Sequence, residues 1–213
     1  MALTLPRLYP ILDVACLRGQ GGDLTALVLE FARQLAAGGA TILQYRNKDG
    51  SAREMLSHAR ELRRALPATV RLIMNDRADL CLAAGFDGVH LGQEDLSPAA
   101  ARDILGPEQI VGVSTHNPDQ LRVADATFAD YLAIGPVFST STKARPDPVV
   151  GLDGVRRARE LTRKPLVAIG GIALENFLRV LDAGADSVAV IAALLEEPKS
   201  ACDEFLRTSP TGL

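Results

Sequence analysis

Lysine is scarce in this chain: four residues, at positions 48, 143, 164 and 199, against 19 arginines. Lys48 closes the run Gln44-Tyr45-Arg46-Asn47-Lys48, and Lys143 closes Ser139-Thr140-Ser141-Thr142-Lys143. Both runs directly follow apolar, strand-like stretches. Cations gathered at two such places in a chain of net charge −3 point to an anionic ligand. Asp76 and Asp95 follow two further apolar stretches, in Asn75-Asp76-Arg77 and Gly92-Gln93-Glu94-Asp95. Carboxylates beside an anion site make chemical sense if a hard cation bridges them, and Mg²⁺ with phosphate oxygens is the usual case. No His or Cys stands at ligand spacing from either, which disfavours Zn²⁺. Three features read as phosphate cradles. The 139–143 run offers hydroxyls, amides and a cation. Gly170-Gly171 lets backbone approach a ligand before a helix start. Ile191-Ala192-Ala193 ends the last strand-like run. Each has a plainer reading as well. Asp76 could only cap a helix, Arg46 and Lys48 could be solvated charges, and 139–143 could be a polar loop. His90 reads as a packed interior residue, His116 as open between roles, His58 as solvated and Cys81 as core. The constellation carries more weight than its parts.

The elements that must position these groups alternate from end to end. Strand-like runs occupy 7–14, 40–47, 71–76, 88–93, 109–115, 131–138, 165–171 and 187–194. Helical patterns lie between and after them, at 23–38, 51–66, 77–85, 97–106, from 117, and at 151–162, 173–184 and 199–209. Ser51 with Glu54 has the form of a capping box. Ser97-Pro98 and Asn117-Pro118 each put a cap residue before Pro at the first helical position. The strands are continuous Val/Ile/Leu runs, the mark of parallel strands covered on both faces. In 213 residues, eight units leave about 27 each, near the minimum for strand, helix and two connections. The expected fold is therefore α/β, a single-domain (β/α)₈ TIM barrel over 1–213. Its catalytic groups should collect at the C-terminal ends of the strands. A doubly wound open sheet is the competitor, but LDVACLRGQGG after the first strand lacks a G-x-G-x-x-G fingerprint. The segments LAAGGATILQ, LAAGFDGVHL and LDAGADSVAV repeat one helix–Gly–strand unit, with Gly38, Gly85 and Gly184 as candidate left-handed caps.

Composition removes other classes. Hydrophobic residues make up 47% and charged residues 23%, as in ordinary globular domains. Aromatics are only 4%, with no Trp, and no basic tract is present, so nucleic-acid binding is not expected. No apolar run approaches the roughly 20 residues of a membrane span, and no signal peptide is evident. Cys16, Cys81 and Cys202 are few, odd in number and far apart, which suits a cytoplasmic protein without disulfides. A homo-oligomer is left open. No strand interior carries a Lys, which argues against a Schiff-base aldolase, and no Ser-His-Asp or Cys-His set is visible.

QYRNK (44–48), IMNDRADLCLAAGFDGVHLGQEDL (73–96), GVSTH (112–116), GPVFSTSTK (135–143) and AIGGI (168–172) together resemble the thiamine-phosphate synthase family. The motifs run in order over nearly the whole chain. The resemblance implies a (β/α)₈ barrel that joins an aminopyrimidine methyl diphosphate to a thiazole phosphate, with Mg²⁺ and release of pyrophosphate. It implies that Gln44, Arg46, Lys48, Asn75, Ser114 and Lys143 hold the pyrimidine and its diphosphate. Asp76 and Asp95 would hold Mg²⁺. Thr140 and Thr142, with Gly171 and the amides of Ile191 and Ala192, would hold the thiazole phosphate. Tyr45, Asn47 and Ser141 are counted among the substrate-binding residues as well. Arg46, Lys48 and Lys143 would stabilise the leaving group. Two departures stand out: Ala192 where Ser is common, and Asn47 where Glu is common, at a position expected to point away from the chemistry. A thiazole tautomerase or a non-catalytic precursor binder would not need Arg46, Lys48, Asp76 and Asp95 together.

Overall fold

The computed structural model describes residues 3–140 and 147–208. Eight parallel strands close into a barrel in chain order, β1 bonding to β8. The strands are β1 (Leu8–Asp13), β2 (Ile42–Arg46), β3 (Arg71–Asn75), β4 (Gly88–Leu91), β5 (Ile110–Thr115), β6 (Tyr131–Ile134), β7 (Leu166–Ile169) and β8 (Ser187–Val190). The helices that follow them are α1 (Leu24–Ala37), α2 (Ala52–Ala65), α3 (Ala78–Ala84), α4 (Pro98–Leu105), α5 (Pro118–Asp125), α6 (Gly151–Leu161), α7 (Phe177–Asp182) and α8 (Pro198–Arg207). The expected (β/α)₈ barrel is the fold found.

Strand periodicity divides the apolar residues into two cores. Tyr9, Ile11, Ile42, Ile73, Tyr131, Ala133, Val167 and Ala189 fill the barrel, with Leu5 packed among them. Their neighbours in sequence, among them Leu8, Leu12, Leu43, Leu72, Val89, Val111, Leu132 and Val188, pack outward with the helices. The barrel is a solid core rather than a pore. Gly112 on β5 makes room for its largest occupant: a Cβ there would lie 2.0 Å from Cζ of Tyr131 on β6.

Helix starts are capped as the sequence suggests. Ser51 Oγ accepts from the Glu54 amide, Ser97 Oγ from Ala100 and Asn117 Oδ1 from Gln120. The capping box at Ser51 is only half made, because the Glu54 carboxylate turns to Arg18 and Asn47 instead. The repeated helix–Gly–strand unit has a use beyond its glycine. Asp87 accepts from the Leu72 amide and pairs with Arg63. Asp186 accepts from the Leu166 amide and pairs with Arg159. Asp130, before β6, does the same with Val111 and Arg102. Each carboxylate ties the start of one strand to the preceding strand and helix, at the end of the barrel opposite the mouth, where structure rather than chemistry is served.

Four expectations shift. Gly85 and Gly184 take positive φ, but Gly38 does not (φ −81°); Gly39 takes it instead, at +98°. Gly38 is held by space, since its Cβ would come 2.5 Å from the Lys199 carbonyl. β6 stops at Ile134 rather than 138. β8 stops at Val190, and Ala192–Leu194 forms a 3₁₀ turn. α7 begins only at Phe177, because Asn176 folds 171–176 into a turn by accepting from Ala173 and donating to the Gly171 carbonyl.

Gly112→Ala should overpack the barrel. Such strain costs about 1–3 kcal/mol, and each kcal/mol lowers the melting temperature by roughly 2–4 °C at this size. Thermal denaturation should show a drop of about 2–12 °C; an unchanged melting temperature would contradict the packing described.

Candidate active site

A cavity of about 740 Å³ opens at the C-terminal mouth of the barrel. Gln44, Arg46, Lys48, Asn75, Asp76, Asp95, Ser114, Thr140, Gly171, Ile191 and Ala192 all line it. Eleven residues singled out from sequence, drawn from seven strand ends and their loops, thus meet in one place. Ser141, Thr142 and Lys143 lie outside the described residues.

Two of the substrate-binding residues do not join them. Gln44 and Arg46 face the cavity, so the period of two turns Tyr45 and Asn47 to the outside of the barrel. Tyr45 is buried in the outer core, its hydroxyl 2.9 Å from His58 Nδ1. Asn47 donates to Tyr45 Oη at 3.1 Å and to Glu54 at 2.8 Å, and accepts from Arg18. The assignment of Tyr45 and Asn47 to ligand contact is corrected accordingly; the expectation that Asn47 points away holds. His58 is buried rather than solvated, and burial pushes its pKa below the usual histidine range.

One wall of the cavity is ionic. Lys48 Nζ lies 2.5 Å from Asp76 Oδ2. Arg46 pairs with Asp13, a carboxylate that is only 1% exposed. Asp13 ends β1 and also caps the 3₁₀ turn Val14–Cys16 by accepting from the Ala15 amide. Reasoning from sequence passed over Asp13, although a carboxylate at a strand end was visible. Asp76 takes a left-handed conformation, φ +63°, unusual for a residue with a side chain. Its amide donates to the His90 carbonyl at 2.8 Å. Such a conformation persists only where the surroundings enforce it, and it sets where the carboxylate stands. Asp95 is fixed by the Gly92 amide at 2.7 Å. Burial, and then the neighbouring Asp76 carboxyl within hydrogen-bonding reach, hold its pKa above the usual carboxylate range.

Two carboxylates this close to one another favour a cation between them. Both present oxygen only, and among the described residues no cluster of three or more His, Cys, Asp or Glu forms a closed metal cage. A pair of carboxylates open to a cavity fits a divalent ion that completes its shell with water and ligand phosphate, as Mg²⁺ does.

The opposite wall has the character of a phosphate cradle. Gly171 holds φ +63°, and a Cβ there would come 2.5 Å from the Ser139 carbonyl, so backbone rather than side chain faces this side. Ile191 and Ala192 open the 3₁₀ turn after β8, where the first amides lack partners within the turn. His116, left open between roles from sequence, also lines the cavity. Its Nδ1 lies 2.6 Å from the Gly135 carbonyl and must carry a proton there, while Nε2 faces Asp147 at 3.5 Å. Gln120 and Asp147 complete this side and carried no sequence signal.

A parallel barrel with paired carboxylates and cations on one side of its mouth, and a glycine-lined cradle on the other, defines a (β/α)₈ enzyme for phosphate-bearing substrates. The comparisons give the family. Residues 15–194 match the family model described as thiamine monophosphate synthase. The thiamine-phosphate synthase of Koribacter versatilis is 63% identical over 96% of either chain. That of Chlorobium phaeovibrioides is 43% identical over 86% of this chain and 89% of its own. The solved thiamine phosphate pyrophosphorylase of Pyrococcus furiosus superposes with a TM-score of 0.80 at 35% identity, over 94% of this chain and 93% of that one. The chain belongs to the thiamine monophosphate synthase family.

Asp13→Asn should leave the barrel folded but free Arg46 to wander. A hydrogen bond to a charged group is worth roughly 1.5–3 kcal/mol, so kcat/KM should fall about tenfold or more, with unchanged far-UV circular dichroism. Wild-type kinetics in a folded variant would show that Asp13 does not position Arg46.

Proposed function

We propose that this chain joins an aminopyrimidine methyl diphosphate to a thiazole phosphate, giving thiamine phosphate and pyrophosphate, with Mg²⁺ assisting. The observation that carries the reading is the meeting of Arg46, Lys48, Asp76 and Asp95 on one wall of a cavity whose other wall is a glycine-lined cradle. The family relationship supports the same reaction.

The chemistry asks for charge stabilisation and alignment rather than a strong base. The carbon–oxygen bond of the diphosphate breaks with both electrons leaving on oxygen, and the methylene cation is delocalised into the aminopyrimidine. The thiazole nitrogen then supplies the electron pair of the new carbon–nitrogen bond. It carries no proton, so no general base is required. Asp76 and Asp95 would hold Mg²⁺, which when bound neutralises charge on the departing diphosphate. Arg46, kept in place by Asp13, and Lys48 offer fixed positive charge on the same side. Gln44, Asn75 and Ser114 would seat the pyrimidine. Gly171, Thr140 and the amides at Ile191 and Ala192 would fix the second phosphate and align the thiazole with the cation. Backbone contact makes Ala192 compatible with this role. Lys143, with Ser141 and Thr142, would complete the leaving-group and phosphate sites. Among the described residues no helix is long and apolar enough to cross a membrane, and Cys81 and Cys202 are buried free thiols. Free thiols support a reducing, cytoplasmic setting.

Incubation with both phosphates and Mg²⁺ should release pyrophosphate in step with thiamine phosphate; no release would refute the reading. Asp95→Asn should raise the Mg²⁺ concentration for half-maximal rate without altering the fold. Calorimetry should find Mg²⁺ binding weak alone and tighter with the diphosphate present, and full activity in excess EDTA would contradict the metal assignment. Lys143→Ala should lower kcat about 10–100-fold, the range expected for one charge-assisted bond. A raised KM with unchanged kcat would remove Lys143 from the transition state.

A further inference from the structure

The interior of the barrel carries a line of five polar side chains, three of which the reaction as described does not use. Gln44 Nε2 donates to Tyr9 Oη at 3.3 Å. Tyr9 Oη lies 2.8 Å from Tyr131 Oη. Tyr131 Oη lies 2.8 Å from His90 Nδ1, and His90 Nε2 lies 2.8 Å from Ser114 Oγ. Tyr9 and Tyr131 are at most 1% exposed and His90 8%. The line thus runs through the core from one cavity-lining side chain, Gln44, to another, Ser114.

Its hydrogens can be counted. With the Gln44 amide donating to Tyr9, the Tyr9 proton must go to Tyr131, because a buried hydroxyl without an acceptor is costly. Tyr131, now accepting from Tyr9, gives its own proton to His90 Nδ1. An imidazole that accepts at Nδ1 and is neutral must carry its proton at Nε2. With Nδ1 accepting from Tyr131, the buried ring is the neutral form that carries its one proton at Nε2. Nε2 therefore donates to Ser114 Oγ. Ser114, supplied with a donor from behind, is left to donate its own hydroxyl proton into the cavity. Gln44, with one amide proton given to Tyr9, has its amide orientation fixed and keeps its carbonyl oxygen as acceptor, beside one further N–H. The reverse arrangement at His90, with the same Gln44 amide, would leave the Tyr9 proton without a partner.

We propose that Tyr9, Tyr131 and His90 are positioning residues that set Gln44 as an acceptor and Ser114 as a donor toward the ligand ring. That pair matches a heterocycle edge with an amino donor beside an unprotonated ring nitrogen, the edge of an aminopyrimidine. The inference rests on the reaction proposed above for its choice of ligand. It goes beyond it in making Tyr9 and Tyr131, which do not line the cavity, and His90, which borders it, determinants of ring recognition. A polarised line is also stiffer than its separate bonds, since reversing one member requires reversing the rest.

Two measurements test it. The first needs no variant: ¹⁵N NMR of the imidazole nitrogens in the wild-type protein, with the His90 signals identified by their loss in His90→Gln. The expected result is one tautomer, protonated at Nε2. The Nδ1-protonated tautomer, or an averaged mixture, would overturn the proposal. The second is a kinetic cycle with Tyr9→Phe and Ser114→Ala. Tyr9→Phe keeps the ring and removes the link. It should raise KM for the pyrimidine diphosphate about fivefold, the size of one neutral hydrogen bond, and leave KM for the thiazole phosphate unchanged. Ser114→Ala should cost less on the Tyr9→Phe background than on wild type, since the serine there has already lost its enforced polarity. Equal cost on both backgrounds would show that the line is packing alone. Wild type serves as the control. If it releases no pyrophosphate, the proposed reaction fails, whereas an active wild type with additive variants refutes only the wiring.

Discussion

Closure of the sheet depends on one seam, where β8 bonds to β1 in parallel from Leu8 against Val188 to Pro10 against Val190. Once that seam is made, every strand has two neighbours and no edge is left to solvent. More follows than stability. All eight strands run the same way, so all eight C-terminal ends open on one rim. Asp13 at the end of β1 stands beside Arg46 at the end of β2 through the β1–β2 pairing, and the closed ring sets Ile191 beyond β8 in the same cavity as Asp76 and Asp95. Residues separated by more than a hundred positions meet because the ring closes. The carboxylates beneath the barrel serve that closure. Asp87, Asp130 and Asp186 each tie the start of a strand to its predecessor, at the rim that does no chemistry.

The rim itself is electrostatically expensive. Two carboxylates at hydrogen-bonding range, one of them on a left-handed backbone, are a poor arrangement for folding alone. Lys48 offsets part of the repulsion by pairing with Asp76. Lys48 is still half-exposed, and such a contact to a flexible, solvated ammonium is weak and easily exchanged. A ligand bringing a divalent cation and a diphosphate would replace a marginal arrangement by a strong one. Arg46 differs. Its partner Asp13 is almost fully buried, so the guanidinium is anchored from behind and presented forward. One wall thus carries a mobile cation and a fixed one.

Much of this was legible in the sequence. The barrel was readable because parallel strands covered on both faces are written as uninterrupted Val/Ile/Leu runs, and because eight repeats of one length leave few other closures. The rim was readable because polar residues follow those runs. What was lost followed from physical causes. Tyr45 and Asn47 are adjacent to Arg46 in sequence but opposite to it in space, and only the period of two separates them. His58 sits on a helix where a His among charged residues looks solvated; its burial comes from Tyr45 on a strand reached after a turn. β8 and 191–194 form one apolar run, and the switch to a 3₁₀ turn at Ala192 carries no residue that announces it. Asp13 was hidden by its place, since a carboxylate at a strand end becomes a partner for Arg46 only when β1 and β2 are adjacent.

The interior polar line makes the hardest case, because nothing local marks it. Tyr9, Gln44, His90, Ser114 and Tyr131 sit on five different strands and share no motif. Each sits where strand alternation puts a side chain inside the barrel, and each would be a costly choice alone. A buried hydroxyl or imidazole without a partner loses what water gave it. Together they satisfy one another, and Gly112 gives up its side chain so that the Tyr131 ring can reach His90. An apolar core of the same volume would fill the barrel as well and stabilise it at least as much. What it could not do is fix which atom at the mouth donates and which accepts. The cost of burying polar groups is thus tied to the orientation of Gln44 and Ser114. Packing in the core and recognition at the mouth are one arrangement of hydrogen bonds.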